Sequence, residues 1–223
     1  MSDPSTHPSA DSYRASGFSN RIGWGQRPAL LLIDVCAAYF TPGSPLDLTS
    51  NPAAAASPDS MKRLLTAARS SKVPIIWTQV SYTSPTLADA GLFHVKAPVI
   101  SVWQKGDTRG FDKCMPGLEP LEGEEVVLKK HPSAFFGTEL AGMLRFMGVD
   151  TVVIAGVSTS GCIRATALDA MCHNFRPMVV GYACGDRSPA IHDANIFDMS
   201  AKFADVVDEP EAIEHLEAGW PKV

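Results

Sequence analysis

From Asp150 to Asn174 the chain reads DTVVIAGVSTSGCIRATALDAMCHN, and this stretch limits the possible folds more than any other. Thr151 to Ala155 is a short β-branched and apolar run, the pattern of a buried strand. Ile163, Thr166, Ala167, Ala170 and Met171 then recur at helical spacing. GVSTSGC, between them, is made of small residues that let the backbone turn sharply. The turn delivers Cys162 to the first turn of the helix. There the partial positive charge of the helix N-terminus favours thiolate over thiol, and backbone N–H groups without helical partners can hold an oxyanion. On this reading Cys162 is a nucleophile suited to acyl transfer, expected to react with iodoacetamide ahead of Cys36, Cys114, Cys172 and Cys184. A buried structural cysteine after a strand is the plain alternative.

The rest of the chain repeats the strand–helix alternation. Ala29 to Val35 is an apolar run closed by an acid, as in a parallel strand covered on both faces. Ser57 with Pro58 is expected to start a helix whose apolar face is Met61, Leu64, Leu65 and Ala68. Further strands are read at Val73 to Val80, Glu125 to Leu128, Arg176 to Gly181 and Ala204 to Val207. Helices are read from Thr138, from Ala190 to Ala201 and at the C-terminal end. The pattern is that of an α/β fold, a three-layer αβα sandwich with a mainly parallel sheet. Residues 1–20 read as a flexible N-terminal arm, or a segment that orders on a partner subunit, and residues 21–223 as one domain. Residues 81–123 are long and irregular, which suits a pocket wall, a subunit contact or a plain surface excursion.

Charge narrows the function classes. Against 24 acidic residues stand 19 basic ones, a net charge of −5, which argues against nucleic acid and anionic membrane surfaces as partners. The N-terminus is polar without an apolar signal core, and the five cysteines form no CxxC pair. Reduced thiols in the cytoplasm are therefore expected. In open parallel sheets ligands bind beyond the carboxyl ends of the strands. Asp34, the Lys129/Lys130 pair and Cys162 all fall at such ends. They supply a carboxylate to take a proton, a cation to orient it and a nucleophile. Taken singly, an acid at a strand end is as often a helix cap or loop anchor.

LLIDV, KKHPSAFFGT and AGVSTSGCIRATALDAM, in this order, make the chain resemble the isochorismatase-like cysteine hydrolase superfamily. GFSNRIGWGQRPALLLID, TPGSP, GDRSP and NIFDMSAKFADV resemble its N-carbamoylsarcosine amidase branch in particular. The resemblance implies an Asp34–Lys129–Cys162 triad, with Lys129 favoured by its spacing from Ser133; counted from the end of the VVL run, Lys130 would be the match. It implies a cis peptide between Val157 and Ser158 and an oxyanion hole from the N–H groups of Ser158 and Cys162. Arg187 in GDRSP would hold a substrate carboxylate, its alternative being a surface salt bridge. Tyr39, Trp103 and Phe136 are candidate pocket walls, or plain packing. The implied activity is hydrolysis of a C–N bond in a small linear amide or N-carbamoyl compound through a thioester. Maleamate and simple carbamates are rival substrates, and a catalytically silent scaffold subunit is the rival of another class. No cofactor or metal is implied: no histidine occurs between His7 and His94 to build the metal cluster of the nicotinamidase branch. Related proteins are commonly tetramers, so a homo-oligomer is expected. Cys36 stands where many relatives carry glutamine.

Overall fold

The computed structural model describes residues 3–221. Six parallel strands run in the order β3-β2-β1-β4-β5-β6. They are β1 (Pro28–Ile33), β2 (Ile75–Val80), β3 (Glu125–Lys129), β4 (Thr151–Val157), β5 (Arg176–Gly185) and β6 (Asp205–Val207). Every residue of β1 and β4 is buried, because helices cover both faces of the sheet. Side chains alternate across the pleat: Leu30 and Leu32 enter one core, Ala29, Leu31 and Ile33 the other. The eight α-helices of the described residues are α1 (Ala10–Ala15), α2 (Ala37–Phe40), α3 (Pro52–Ser70), α4 (Leu92–Lys96), α5 (Leu140–Met147), α6 (Arg164–Cys172), α7 (Pro189–Lys202) and α8 (Glu209–Ala218). Leu64 and Leu65 of α3 and Leu216 of α8 fill the first core. Leu140 and Leu144 of α5, Ala167 and Ala170 of α6 and Ile196 of α7 fill the second. The result is the expected three-layer αβα sandwich. Among the described residues no helix is long and apolar enough to cross a membrane.

The strand order reverses direction between β1 and β4, which opens a crevice beyond their carboxyl ends. Asp34 follows β1 and Cys162 follows β4, so the two flank this crevice. β3 is an edge strand whose one buried residue is its last, Lys129.

Local rules were overridden at two places. Helix α3 starts at Pro52, where the Asn51 side chain accepts from Ala53 N–H, and not at Ser57. Pro58 lies inside it and cannot donate to the Ala54 carbonyl. The Ser57 hydroxyl donates to that carbonyl instead, at 2.8 Å, which leaves the interior proline tolerable. β5 runs on to Gly185 rather than ending at Gly181, through a register shift opposite Ile154 and Gly156. The segment expected as an arm lies along α7 of the same chain. Ala10 is buried with Phe197 and Ala201, and the His7 ring stacks on Phe197 at 3.8 Å. Residues 1 and 2 fall outside the described residues.

Gly156 pairs with Ile33 and has φ 127°. A Cβ there would lie 2.2 Å from the Ile33 carbonyl oxygen, just ahead of Asp34. Gly156→Ala is therefore expected to destabilise the protein by roughly 4 kcal/mol or more, through both clash and positive φ. Urea denaturation checks this; a loss below about 1 kcal/mol would show that the two strands part freely at this point.

Candidate active site

Asp34 leaves β1 in the left-handed region, φ 52°, a conformation aspartate tolerates better than most residues. Thr78 on the neighbouring β2 holds it there. Asp34 N–H donates to Thr78 Oγ1 at 3.0 Å, and the Thr78 hydroxyl donates to Asp34 Oδ1 at 2.7 Å. The second carboxylate oxygen, Oδ2, lies 2.9 Å from Lys129 Nζ in an ion pair that is almost wholly buried. Lys129 Nζ also donates to the carbonyls of His131 and Pro132, at 3.0 and 3.1 Å, and sits 3.4 Å from Cys162 Sγ. An ammonium has three protons, and here four acceptors surround it. Burial acts to lower the Lys129 pKa, but Asp34 and Cys162 outweigh it and the net shift is upward, so the side chain stays charged.

The two candidate lysines part ways at this point. Lys130 Nζ donates to the Ser81 carbonyl at 2.6 Å and to Asp89 Oδ2 at 2.7 Å, away from Asp34. Lys129 alone of the pair reaches Asp34 and Cys162.

Cys162 is carried by a single π-helical turn, Thr159–Ile163, that precedes α6. Ile163 N–H donates to the Ser158 carbonyl at 3.2 Å and Arg164 N–H reaches back to Thr159. The peptide bond between Val157 and Ser158 is cis. The end of β5 holds this turn from the side. Ser160 N–H donates to Asp186 Oδ2 at 2.6 Å, and the Thr159 hydroxyl donates to the Gly185 carbonyl at 3.1 Å. Because the Thr159 proton is spent there, its oxygen accepts from His192 Nδ1 at 2.8 Å, which sets the protonated nitrogen of that ring.

Burial pushes the Cys162 thiol up to about 12; Lys129 lowers it, and the Asp34 carboxylate raises it again. Burial beside a carboxylate thus opposes the pull of Lys129 and the helix end toward thiolate. The order of alkylation changes with it. Cys172 is exposed and Cys162 is buried, so iodoacetamide is now expected to meet Cys172 first.

Above Cys162 lies a cavity of ≈ 340 Å³, large enough for a small substrate only. Tyr39 and Trp103 are among its walls, with ring centroids 5.8 Å apart, as are Ser158 and Arg187. Phe136 is not: it is 62% exposed and packs edge-on against His131, while Phe135 takes the inward direction. Arg187 is the one basic side chain among the described lining residues, and its charge also reaches Asp47. Cys36 faces away from this cavity and lines a smaller one behind Asp34. Thr78, Asp186, Thr159 and His192 are site residues that the sequence reading missed. A threonine near the end of a strand and the aspartate of GDRSP were the only signals they offered.

Comparison with known proteins fits this geometry. The chain is 43% identical over 199 residues to a maleamate amidohydrolase of Pseudomonas putida, an alignment covering 89% of this chain and 91% of the relative. It is 34% identical over 215 residues to an N-carbamoylsarcosine amidase of an Arthrobacter species, covering 92% and 77%. Among solved structures, a cysteine hydrolase from Pseudomonas syringae superposes with a TM-score of 0.81 at 21% identity, covering 89% of this chain and 98% of that one. An isochorismatase family protein from Desulfovibrio vulgaris superposes with 0.75 at 29% identity, covering 86% and 99%. The profile of the isochorismatase domain family matches residues 28–211, and the chain belongs to that family.

Proposed function

We propose that the protein is a cysteine-dependent amidohydrolase that cleaves the C–N bond of a short linear amide bearing a carboxylate, with maleamate as the preferred candidate. The observation that carries this reading is the Asp34–Lys129–Cys162 cluster, with Cys162 at the base of a small cavity whose basic wall is Arg187. The 43% identity to a maleamate amidohydrolase favours that substrate over N-carbamoylsarcosine. A guanidinium pairs with a carboxylate at two points and so orients the amide at the other end of a four-carbon acid.

The chemistry then runs in two halves. Substrate displaces water, and Cys162 passes its proton to Asp34 as Sγ attacks the amide carbon. The oxyanion is received by the N–H groups of Ser158 and Cys162. Lys129 stays charged throughout, offsetting the negative charge that builds on sulfur. Collapse of the tetrahedral adduct expels ammonia, which takes the proton back from Asp34. Asp34 next takes a proton from water, the hydroxide attacks the thioester, and the acid leaves as Cys162 regains its proton.

The test is ammonia release with maleamate, N-carbamoylsarcosine and a neutral carbamate side by side. Turnover of the acids above the carbamate supports the reading, and silence on all three would favour a binding subunit. Arg187→Ala should lower kcat/KM about ten- to a hundredfold on maleamate and little on the carbamate. Arg187→Lys should rescue only in part, since an ammonium makes no planar two-point contact. Equal losses on both substrates would make Arg187 structural.

A further inference from the structure

Two of the remaining thiols are placed as a pair. Cys36 lies just beyond Asp34, and Cys114 lies in the 106–117 loop, and their backbones meet in a short antiparallel bridge. Ala37 N–H donates to the Lys113 carbonyl at 2.8 Å. That bond makes Cys36 and Cys114 the narrow, non-hydrogen-bonded kind of opposed pair, with Cα atoms about 4.5 Å apart and side chains on one face. A disulfide spans Cα separations of about 4.4–6.8 Å. Both side chains line a cavity of ≈ 80 Å³ that Asp34, Thr78 and Trp103 also border. A space of this size admits a molecule little larger than water. Cys36 is 7% exposed, whereas Cys114 is only partly buried and is the sulfur an oxidant meets first.

We propose that Cys36 and Cys114 form a redox-sensitive dithiol site that a hydroperoxide closes to a disulfide, a thiol reductant reopens, and Trp103 couples to the substrate cavity. Cys114 sulfur attacks a peroxide oxygen; the O–O bond breaks, water leaves and a sulfenic acid forms. Cys36 sulfur then attacks Cys114 sulfur, the S–O bond breaks and a second water leaves. Two thiols are oxidised by two electrons, and one hydrogen peroxide is reduced to two waters. The coupling runs through an indole. Trp103 borders the small cavity together with Cys36 and is at the same time a wall of the larger cavity, beside Tyr39. Swinging the Cys36 sulfur toward Cys114 repacks the small cavity and so bears on that wall. Burial raises both thiols above their ordinary range, Cys36 to about 12.

The experiment treats the full chain with hydrogen peroxide, blocks remaining thiols under denaturing conditions and digests without reductant. Mass spectrometry is expected to find the Cys36 and Cys114 peptides joined, and separate again after dithiothreitol. KM for maleamate should rise several-fold in the oxidised protein and return with dithiothreitol. Cys114→Ser should keep the untreated activity and show neither effect; Cys36→Ser serves if that variant folds poorly. Absence of the joined peptide overturns the proposal, as does a joined peptide with unchanged KM. Irreversible loss shared by wild type and Cys114→Ser would point to oxidation of Cys162 and also overturn it. The joined peptide is read without substrate, so it stands or falls separately from the amidohydrolase reading.

Discussion

Cys162→Ala is expected to cut maleamate turnover by at least about 10⁴-fold while the protein remains folded. The substitution removes one sulfur facing a cavity, and the turn around it is held by backbone and by Asp186, Thr159 and His192, none of which depends on that sulfur. Cys162→Ser should be almost as inactive. A hydroxyl is far less acidic than even a raised thiol, so far less of the attacking anion forms against the same base. Ammonia release measures the loss, and a thermal midpoint close to wild type shows that folding survived. Residual turnover within tenfold of wild type would remove Cys162 from the chemistry. Burial pushes the Cys162 thiol up, in keeping with a reaction that opens by passing its proton to Asp34. Rapid quenching should trap an acyl adduct on Cys162 in wild type.

Lys129→Met carries the second large effect. It removes the charge at nearly constant shape and leaves the Asp34 carboxylate buried without a counter-charge. Breaking a buried pair from one side costs about 3–5 kcal/mol. Turnover should fall roughly 10²- to 10⁴-fold, the range expected when a positioned base is lost. Folded Lys129 titrates above its ordinary value of 10.5. The contribution of the pair is therefore whole below that value and is lost only as pH rises through the higher folded one. Lys130→Met should behave differently. It unlatches the Ser81 and Asp89 loop from β3 but touches neither Asp34 nor Cys162, so turnover should drop less than about tenfold. Ammonia release and urea denaturation on both variants decide the matter, and a larger loss at Lys130 would reverse the assignment.

Much of this architecture could be read from residue pattern. ALLLIDV and TVVIA announce buried parallel strands because both of their faces are apolar. Asp34 and Cys162 follow directly as strand-end groups. Pro58 misled because a proline is the usual mark of a helix start, and only the Ser57 hydroxyl makes it acceptable inside one. Adjacent lysines look alike in sequence, yet the pleat sends them to opposite sides, and which side is inside depends on how β3 registers with β2. Thr78 was invisible for the same reason: its role exists only once β1 and β2 are paired. How deeply Cys162 is buried lay beyond reach because burial belongs to the assembled fold and not to a local segment.

The turn that carries Cys162 closes with i to i−5 hydrogen bonds, Ile163 to Ser158 and Arg164 to Thr159. It thus holds one residue more than an α-helical turn would between the same neighbours. Deleting a single residue from Thr159–Gly161 while the rest of the segment keeps its winding would swing position 162 about 100° around the axis. The sulfur would leave Lys129 with every side chain of the cluster still present in the chain. The spacing of this segment, counted in residues, is therefore as much a requirement of the site as the chemistry of any residue in it.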